Sequence, residues 1–340
     1  MTPQQSNEEK VTFILLFSRN QPSCDIPYLM AHREERVCPM LLTATFYFMR
    51  DLVDYRAISF ENSVYIIGGR YASTGRLSCA VFKYDAGTDF WRTCDSMKAP
   101  RINFSVSIFD SKIYVLGGEG LKGAIIQTVE AYDPTIDRWK EVGTLPKPRR
   151  NHASYTINGK LWSCGGVSSL LEAQSTNELV IIDPRPNEWK RSLTTFTLPD
   201  PRQQHCLTFI NNNVLLFGGC QKNGEEVQNI HKIARISNLS SESTPIWEEI
   251  SNQLQHPRTD CGYFQLGTSL YIVGGYDSET GHPTKMMERI DLTDNSEITI
   301  DEQFELDKNL GSVDCCVVQT NKFNEHLLPL ASYLDRWIIW

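Results

Sequence analysis

The residues that could hold a metal or attack a substrate in this 340-residue chain are ten cysteines and seven histidines, the latter at positions 32, 152, 205, 231, 256, 282 and 326. Their spacing argues against both chemistries. No HxH, HxxxH or CxxC is present, so no short segment presents two ligands to one ion, and no metal site is expected. His152 and His205 each stand three residues after an arginine, Arg149 and Arg202. A residue type that recurs at one position of successive repeats reads as a hydrogen-bonded structural group. No GxSxG or P-loop sequence occurs, and no GxGxxG stands in its strand-to-helix context. The run GEGLKG at Gly118–Gly123 has glycines but neither a following Lys-Ser/Thr nor a following helix, so it is not expected to cradle a phosphate. The carboxylates Asp85, Asp133, Asp137 and Asp183 fall at turn positions, where aspartate caps its own backbone. The sequence therefore predicts no catalytic residue, no metal and no cofactor: the chain is not read as an enzyme.

Charge narrows the partners. There are 33 Lys and Arg against 41 Asp and Glu, for a net charge of −8. With no basic run, neither nucleic acid nor an anionic membrane surface is an expected partner. The cysteines, including the adjacent Cys315 and Cys316, read as thiols of a reducing compartment. VTFILLF at Val11–Phe17 is a seven-residue apolar run preceded by Glu8, Glu9 and Lys10, which suits a buried strand better than a signal peptide. The expected location is the cytoplasm, or the nucleus.

The elements that would position these side chains are visible as a repeat. Apolar runs end in Gly-Gly at Gly69, Gly118, Gly166, Gly219 and Gly275, and the first glycines are 49, 48, 53 and 56 residues apart. Trp91, Trp139, Trp189 and Trp247 follow 22, 21, 23 and 28 residues after the second glycine of their units. A Pro-Arg dipeptide then opens the next unit, and Arg101, Arg149, Arg202 and Arg258 each precede the following glycine pair by 16 residues. Within a unit, Phe104–Phe109, Ile113–Leu116, Thr128–Tyr132 and Arg138–Val142 read as short strands rich in β-branched and aromatic residues. Tyr84 and Tyr132 stand seven residues before a Trp and bracket the turns DAGTD and DPTID. The indoles are large enough to fill the wedge between neighbouring sheets. Sheets this small must stack on each other, and radial stacking gives a β-propeller.

This pattern (apolar run, Gly-Gly, Tyr, six residues, Trp, Pro-Arg) resembles the kelch repeat, and its layout is similar to the kelch half of BTB-kelch adaptor proteins. The resemblance covers roughly residues 55–320. It implies an all-β fold, a single propeller of six four-stranded blades. VTFILLFSRN lies about one repeat before the first glycine pair, with Ser18 and Arg19 where glycines would stand and Leu52 at the arginine position. Gly311–Phe323 reads as the opening strand of a further unit with no glycine pair after it. An orphan opening strand at one end and an orphan second strand at the other fit closure of the ring by the C-terminal strand. In the last unit Ile290 stands for the tyrosine and Glu297 for the tryptophan. The organisation expected is a degenerate first blade or leader over 1–54, kelch repeats and the closing strand over 55–323, and a tail over 324–340.

The resemblance also places a binding surface. In substrate-binding kelch domains two loop positions per blade face one rim of the channel. Those after the glycine pairs are Arg70, Glu119, Val167, Cys220 and Tyr276; those after the Pro-Arg arginine are Ile102, Asn103, Arg150, Asn151, Gln203, Gln204, Thr259 and Asp260. The partner-binding rim is therefore assigned to Arg70, Asn103, Glu119, Arg150, Asn151, Gln203, Gln204, Thr259, Asp260 and Tyr276, with Arg70 and Arg150 as its cations. The recurrent arginines read as structural. The implied function is substrate recognition, of a protein or a peptide degron, as in adaptors of cullin–RING ubiquitin ligases. Actin binding is the alternative, and galactose oxidase-like copper chemistry, also hosted by this fold, lacks its ligand pattern here. About 50 residues precede the first clear repeat, too few for BTB and BACK domains, so no direct cullin binding is expected of these residues alone.

Overall fold

A computed structural model describes residues 11–23, 25–32, 36–37, 42–45, 49–169, 174–185, 187–189, 193–237, 245–250, 253–291 and 299–320. The expected tail over 324–340 and Glu297 lie outside them. Six antiparallel sheets stand around a central channel. Blade II comprises Arg56–Phe60, Ser63–Ile67, Val81–Asp85 and Phe90–Cys94. Blade III comprises Ser105–Phe109, Lys112–Leu116, Thr128–Asp133 and Arg138–Thr144. Blade IV runs from Ala153–Ile157 through Lys160–Cys164 and Glu178–Ile182 to Thr194–Thr197. Blade V is Cys206–Ile210, Asn213–Phe217, Ala234–Ser237 and Glu248–Glu249, and blade VI is Gly262–Leu266, Ser269–Val273, Thr284–Asp291 and Thr299–Leu310.

Blade I closes the ring. Its innermost strand is Val313–Thr320, paired with Val11–Ser18, which in turn pairs with Asp25–His32. Leu15 faces Cys316 and Phe17 faces Asp314 across the seam between the two ends of the chain. The innermost strands of the six blades contact one another in succession around the channel, Val313–Thr320 lying between those of blades VI and II. Closure by the C-terminal strand is thus as the orphan strands implied.

Local chemistry explains the blades. Most inner hairpins turn on residues with positive φ, as in Asp110-Ser111 and Asn211-Asn212, the turn geometry that matches strand twist. The recurrent tyrosine binds the turn it brackets: Tyr132 Oη donates to Asp137 at 2.6 Å, and its ring lies 5.2 Å from that of Trp139. The tryptophans fill the inter-blade wedges as expected. Trp139 Nε1 donates to the Asp95 carbonyl of blade II, and Trp189 Nε1 to the Thr144 carbonyl of blade III. The apolar second and third strands are buried between blades, so the core is a set of clusters around the ring.

Candidate functional site at the channel mouth

Each innermost strand is entered through one residue in the left-handed conformation: Asp54, Asn103, Asn151, Gln204, Asp260 and Ser312, with φ between 43° and 55°. These residues link blade to blade through their backbones. The N–H groups of Asn151, Gln204 and Asp260 donate to the carbonyls of Asn103, Asn151 and Gln204 at 2.9, 2.9 and 3.0 Å. Val313 N–H continues the belt to Asp260, and at the seam Arg19 N–H donates to Ser312 while its carbonyl accepts from Asp54. Buried backbone groups must be paired, and these six bonds pair them between neighbouring blades and at the seam. The result is a hydrogen-bonded collar at the channel mouth, running from blade III through blades IV, V and VI to the seam with blades I and II.

The rim residues assigned from the sequence flank this collar. The two loop positions of each blade meet as short β-bridges: Ile102 with Glu119, Arg150 with Val167, Gln203 with Cys220, and Thr259 with Tyr276. Arg70 pairs in the same way with Val53. Asn103, Asn151, Gln204 and Asp260 lie in the collar itself. The side chains differ from the expectation in charge. Arg70 and Arg150 are not free cations: Arg70 binds Asp54, and Arg150 binds Glu119 of the preceding blade. The reason is geometric: pairing of Val53 with Arg70 brings Asp54 beside Arg70, and Arg150 reaches Glu119 across the interface between adjacent blades. Gln203 is largely buried, as are Val167 and Cys220. Tyr276 is half-buried over Gly311, where a Cβ would meet its ring at 2.9 Å. Gln204 Nε2 donates to Asp260 at 2.8 Å.

Sequence reading missed the charged cluster inside the mouth. Arg19 occupies the second-glycine position of blade I, and its buried guanidinium lies 3.2 Å from Asp314 and 3.8 Å from Asp260. Burial opposes its charge, but Asp314 and Asp260 outweigh it and raise its pKa above the usual arginine value. Arg56 reaches the same Asp314 at 2.9 Å and also donates to the Phe104 carbonyl at 2.9 Å. Asp314 accepts the Ala57 N–H with its second oxygen. Four charges from blades I, II and VI and from the closing strand thus meet across the seam. They line the mouth of a channel cavity of about 510 Å³, whose walls are otherwise mostly small and polar residues of the innermost strands. The one available signal was the non-glycine pair Ser18-Arg19.

The recurrent arginines are structural, as the repeat implied. Arg101, Arg149, Arg202 and Arg258 are fully buried, and each donates to the carbonyl of the first glycine 16 residues on. Their counter-charges are Glu130, Glu178, Asp200 and Glu288. His152 and His205 lie under the glycine pairs of the preceding blades; a Cβ on Gly117 or Gly165 would meet their rings at 3.0 and 2.5 Å. Ser105 Oγ and Cys164 Sγ contact their Nε2 atoms at 2.7 and 3.3 Å. Burial, aided by nearby arginines, pushes both imidazoles far below the ordinary histidine pKa, so both are neutral. Among the described residues no group of three or more His, Cys, Asp or Glu could hold a metal ion, and no helix is long and apolar enough to cross a membrane.

The comparisons with known proteins agree with this geometry. The family model described as the KLHDC2/KLHL20/DRC7 Kelch-repeats domain matches residues 54–231, more than half of the chain. Kelch-like protein 26 of Danio rerio is 27% identical over 233 residues, 67% of this chain and 36% of its own length. Beta-scruin of Limulus polyphemus is 26% identical over 241 residues, 66% of this chain and 25% of its own length. The chain thus spans between a quarter and about a third of these two relatives. Among solved structures, that titled "Structure of YjhT" superposes with a TM-score of 0.69 at 16% identity, over 85% of this chain and 94% of that one, a likeness of fold.

Proposed function

The chain belongs to the kelch-repeat family, and from that premise we propose that it is a non-enzymatic protein-interaction propeller. It holds a protein or an exposed peptide segment, such as a degron, at the collar end of its channel. The closest functional analogy is the substrate-recognition half of cullin–RING ubiquitin ligase adaptors. The observation that carries this reading is the convergence of bridged loop residues and the Arg19–Asp314–Arg56 cluster on one channel mouth. A hydrogen-bonded backbone collar with half-exposed Arg70, Arg150 and Tyr276 above it suits recognition, since such side chains carry much of the energy of protein interfaces. The Arg–carboxylate pairs there would exchange their intramolecular partners for charged groups of the ligand.

The test is proximity labelling in cells with the full chain and with Arg70→Ala/Arg150→Ala. Specific partners should be lost, while the unfolding midpoint changes little because each pair is partly exposed. Retention of the same partners by the double variant would refute the rim assignment. A second reading, actin binding, rests on the family resemblance, and the match to beta-scruin covers as much of the chain as the match to Kelch-like protein 26. Co-sedimentation with actin filaments separates the two readings. Recovery of ubiquitin-ligase components with no sedimentation supports the first.

A further inference from the structure

Two thiols in the channel wall have no part in partner recognition as described above. Cys206 begins the innermost strand of blade V, and Cys261 directly precedes that of blade VI. Their sulfurs are 3.6 Å apart, and Cys206 Sγ also lies 3.4 Å from the Cys261 carbonyl. Both residues line the channel cavity and both are free cysteines. A structural core thiol ordinarily packs against carbon, whereas these two face each other across a blade interface. Cys315, on the neighbouring closing strand, packs over Gly262, where a Cβ would lie 2.6 Å from its sulfur.

We propose that Cys206 and Cys261 are a dithiol oxidation site, which a peroxide entering the channel converts to a disulfide joining blades V and VI. The balance is simple. The thiolate of one cysteine attacks a peroxide oxygen, giving a sulfenic acid and water; the second thiol then attacks that sulfur, forms the S–S bond and releases a second water. Two thiols are oxidised by two electrons, and one hydrogen peroxide is reduced to two waters. Closure brings the sulfurs from 3.6 Å to about 2.05 Å. The innermost strands of blades V and VI, at whose starts the two cysteines stand, are in contact. The hydrogen bond to Cys261, together with burial, pushes the Cys206 thiol up from its ordinary value, which lowers its thiolate fraction and slows its attack on peroxide.

The position gives the bond a consequence. Gln204 and Asp260, hydrogen-bonded to each other in the collar, stand two residues before Cys206 and one before Cys261. A disulfide would tie the blade V and blade VI parts of the collar covalently.

The experiment treats the reduced full chain with a slight molar excess of hydrogen peroxide, then quenches it for intact mass, thiol titration and non-reducing peptide mapping. The expected result is a mass loss of about 2 Da and one linked peptide pair containing Cys206 and Cys261. Titratable thiols should fall from ten to eight (10 − 2) in the unfolded chain. The unfolding midpoint should rise by roughly 3–8 °C, reversed by dithiothreitol, because the bond closes a loop between residues 206 and 261. Cys206→Ser should show no mass loss under the same dose. Oxygen adducts without a linked peptide, or a link that maps to Cys315 or any other cysteine, would overturn the proposal, and the wild-type map alone decides this if the variant fails to fold.

Discussion

Removing the negative partner of a buried arginine should cost far more in some blades than in others, and the structure ranks them. Arg258 and Glu288 are both fully buried in blade VI. Arg258 also donates to the carbonyls of Gly274 and Met286 at 3.2 and 2.7 Å, and Glu288 accepts the Gln255 N–H at 3.2 Å. Glu288→Gln keeps the shape and an acceptor but leaves a guanidinium buried without its charge. Breaking such a pair from one side costs about 3–5 kcal/mol. For a chain of this size that is a fall in unfolding midpoint of roughly 4–7 °C. Arg202 in blade V is equally buried, but its partner Asp200 is about one-third exposed, at 3.2 Å. Water can replace that carboxylate, so Asp200→Asn should cost about 1 kcal/mol. Urea unfolding of the two variants beside Glu130→Gln, the blade III equivalent, measures the ranking. Equal losses for Glu288→Gln and Asp200→Asn, or a loss below about 1 kcal/mol for Glu288→Gln, would refute the argument that burial of the pair sets its cost.

Other outcomes follow from the same geometry. His152 and His205 are held neutral in the fold, while the unfolded chain protonates near pH 6.5. Because the unfolded state binds the extra protons, stability is full above that value and is lost as pH falls through it. The two together should remove on the order of 3 kcal/mol between pH 7.5 and 5.5, and urea midpoints of His152→Phe/His205→Phe should show that slope removed. Gly117→Ala places a Cβ 2.5 Å from the Arg149 carbonyl at φ 57° and should cost about 2–4 kcal/mol. Gly159→Ala, with φ 70° and open space around it, should cost only about 1 kcal/mol in the same unfolding assay. Deleting residues 309–340 removes the innermost strand of blade I and should lower the unfolding midpoint sharply; an unchanged midpoint would contradict closure through that strand.

The parts of this fold that sequence reveals are those whose chemistry is local. A chain that turns directly after a buried strand needs positive φ and has no room for a side chain, so the glycine pairs recur wherever the turn does. At Gly69 and Gly118 a Cβ would lie 2.5 and 2.7 Å from the carbonyls of Val53 and Ile102. The arginines are legible for a similar reason, because each must reach the carbonyl of its own glycine. Their acids are not. Glu130 and Glu288 sit on the third strand two residues beyond the carbonyl that the arginine also binds, but Glu178 is itself the carbonyl residue and Asp200 precedes its arginine. Any nearby oxygen that reaches the guanidinium serves, so no fixed spacing records it. Blade II shows the same freedom. Leu52 replaces the arginine, Phe82 stands where Glu130 stands in blade III, and both join one apolar cluster. Ion pair and apolar pair are lost and gained together, consistent with the near-neutrality of such exchanges when both partners change.

The channel mouth was only half legible, and the reason bears on what its composition means. Asn103, Asn151, Gln204 and Asp260 belong to the rim that the family resemblance assigns to partner binding. Each adopts the left-handed conformation that the collar imposes. Asn and Asp tolerate that conformation better than other non-glycine residues. Their polarity is therefore explained by backbone geometry before any ligand is invoked, and it cannot by itself encode a partner. On the proposed reading, discrimination comes from side chains whose backbone is not held in the left-handed conformation. These are the bridged residues Arg70, Glu119, Arg150 and Tyr276, which have ordinary φ, and the cluster of Arg19, Arg56 and Asp314. Arg19 is the most informative of them. Five blades place glycine at its position, where φ lies between 84° and 100°, yet Arg19 is not in the left-handed region. The closing blade has given up the tight turn and set a buried cation across the seam, facing Asp260 on one side and Asp314 on the other. On the proposed reading of the mouth as the recognition surface, ring closure and recognition share one residue. Substituting Arg19 should impair both, whereas substituting Arg150, which only bridges two loops, should impair recognition alone.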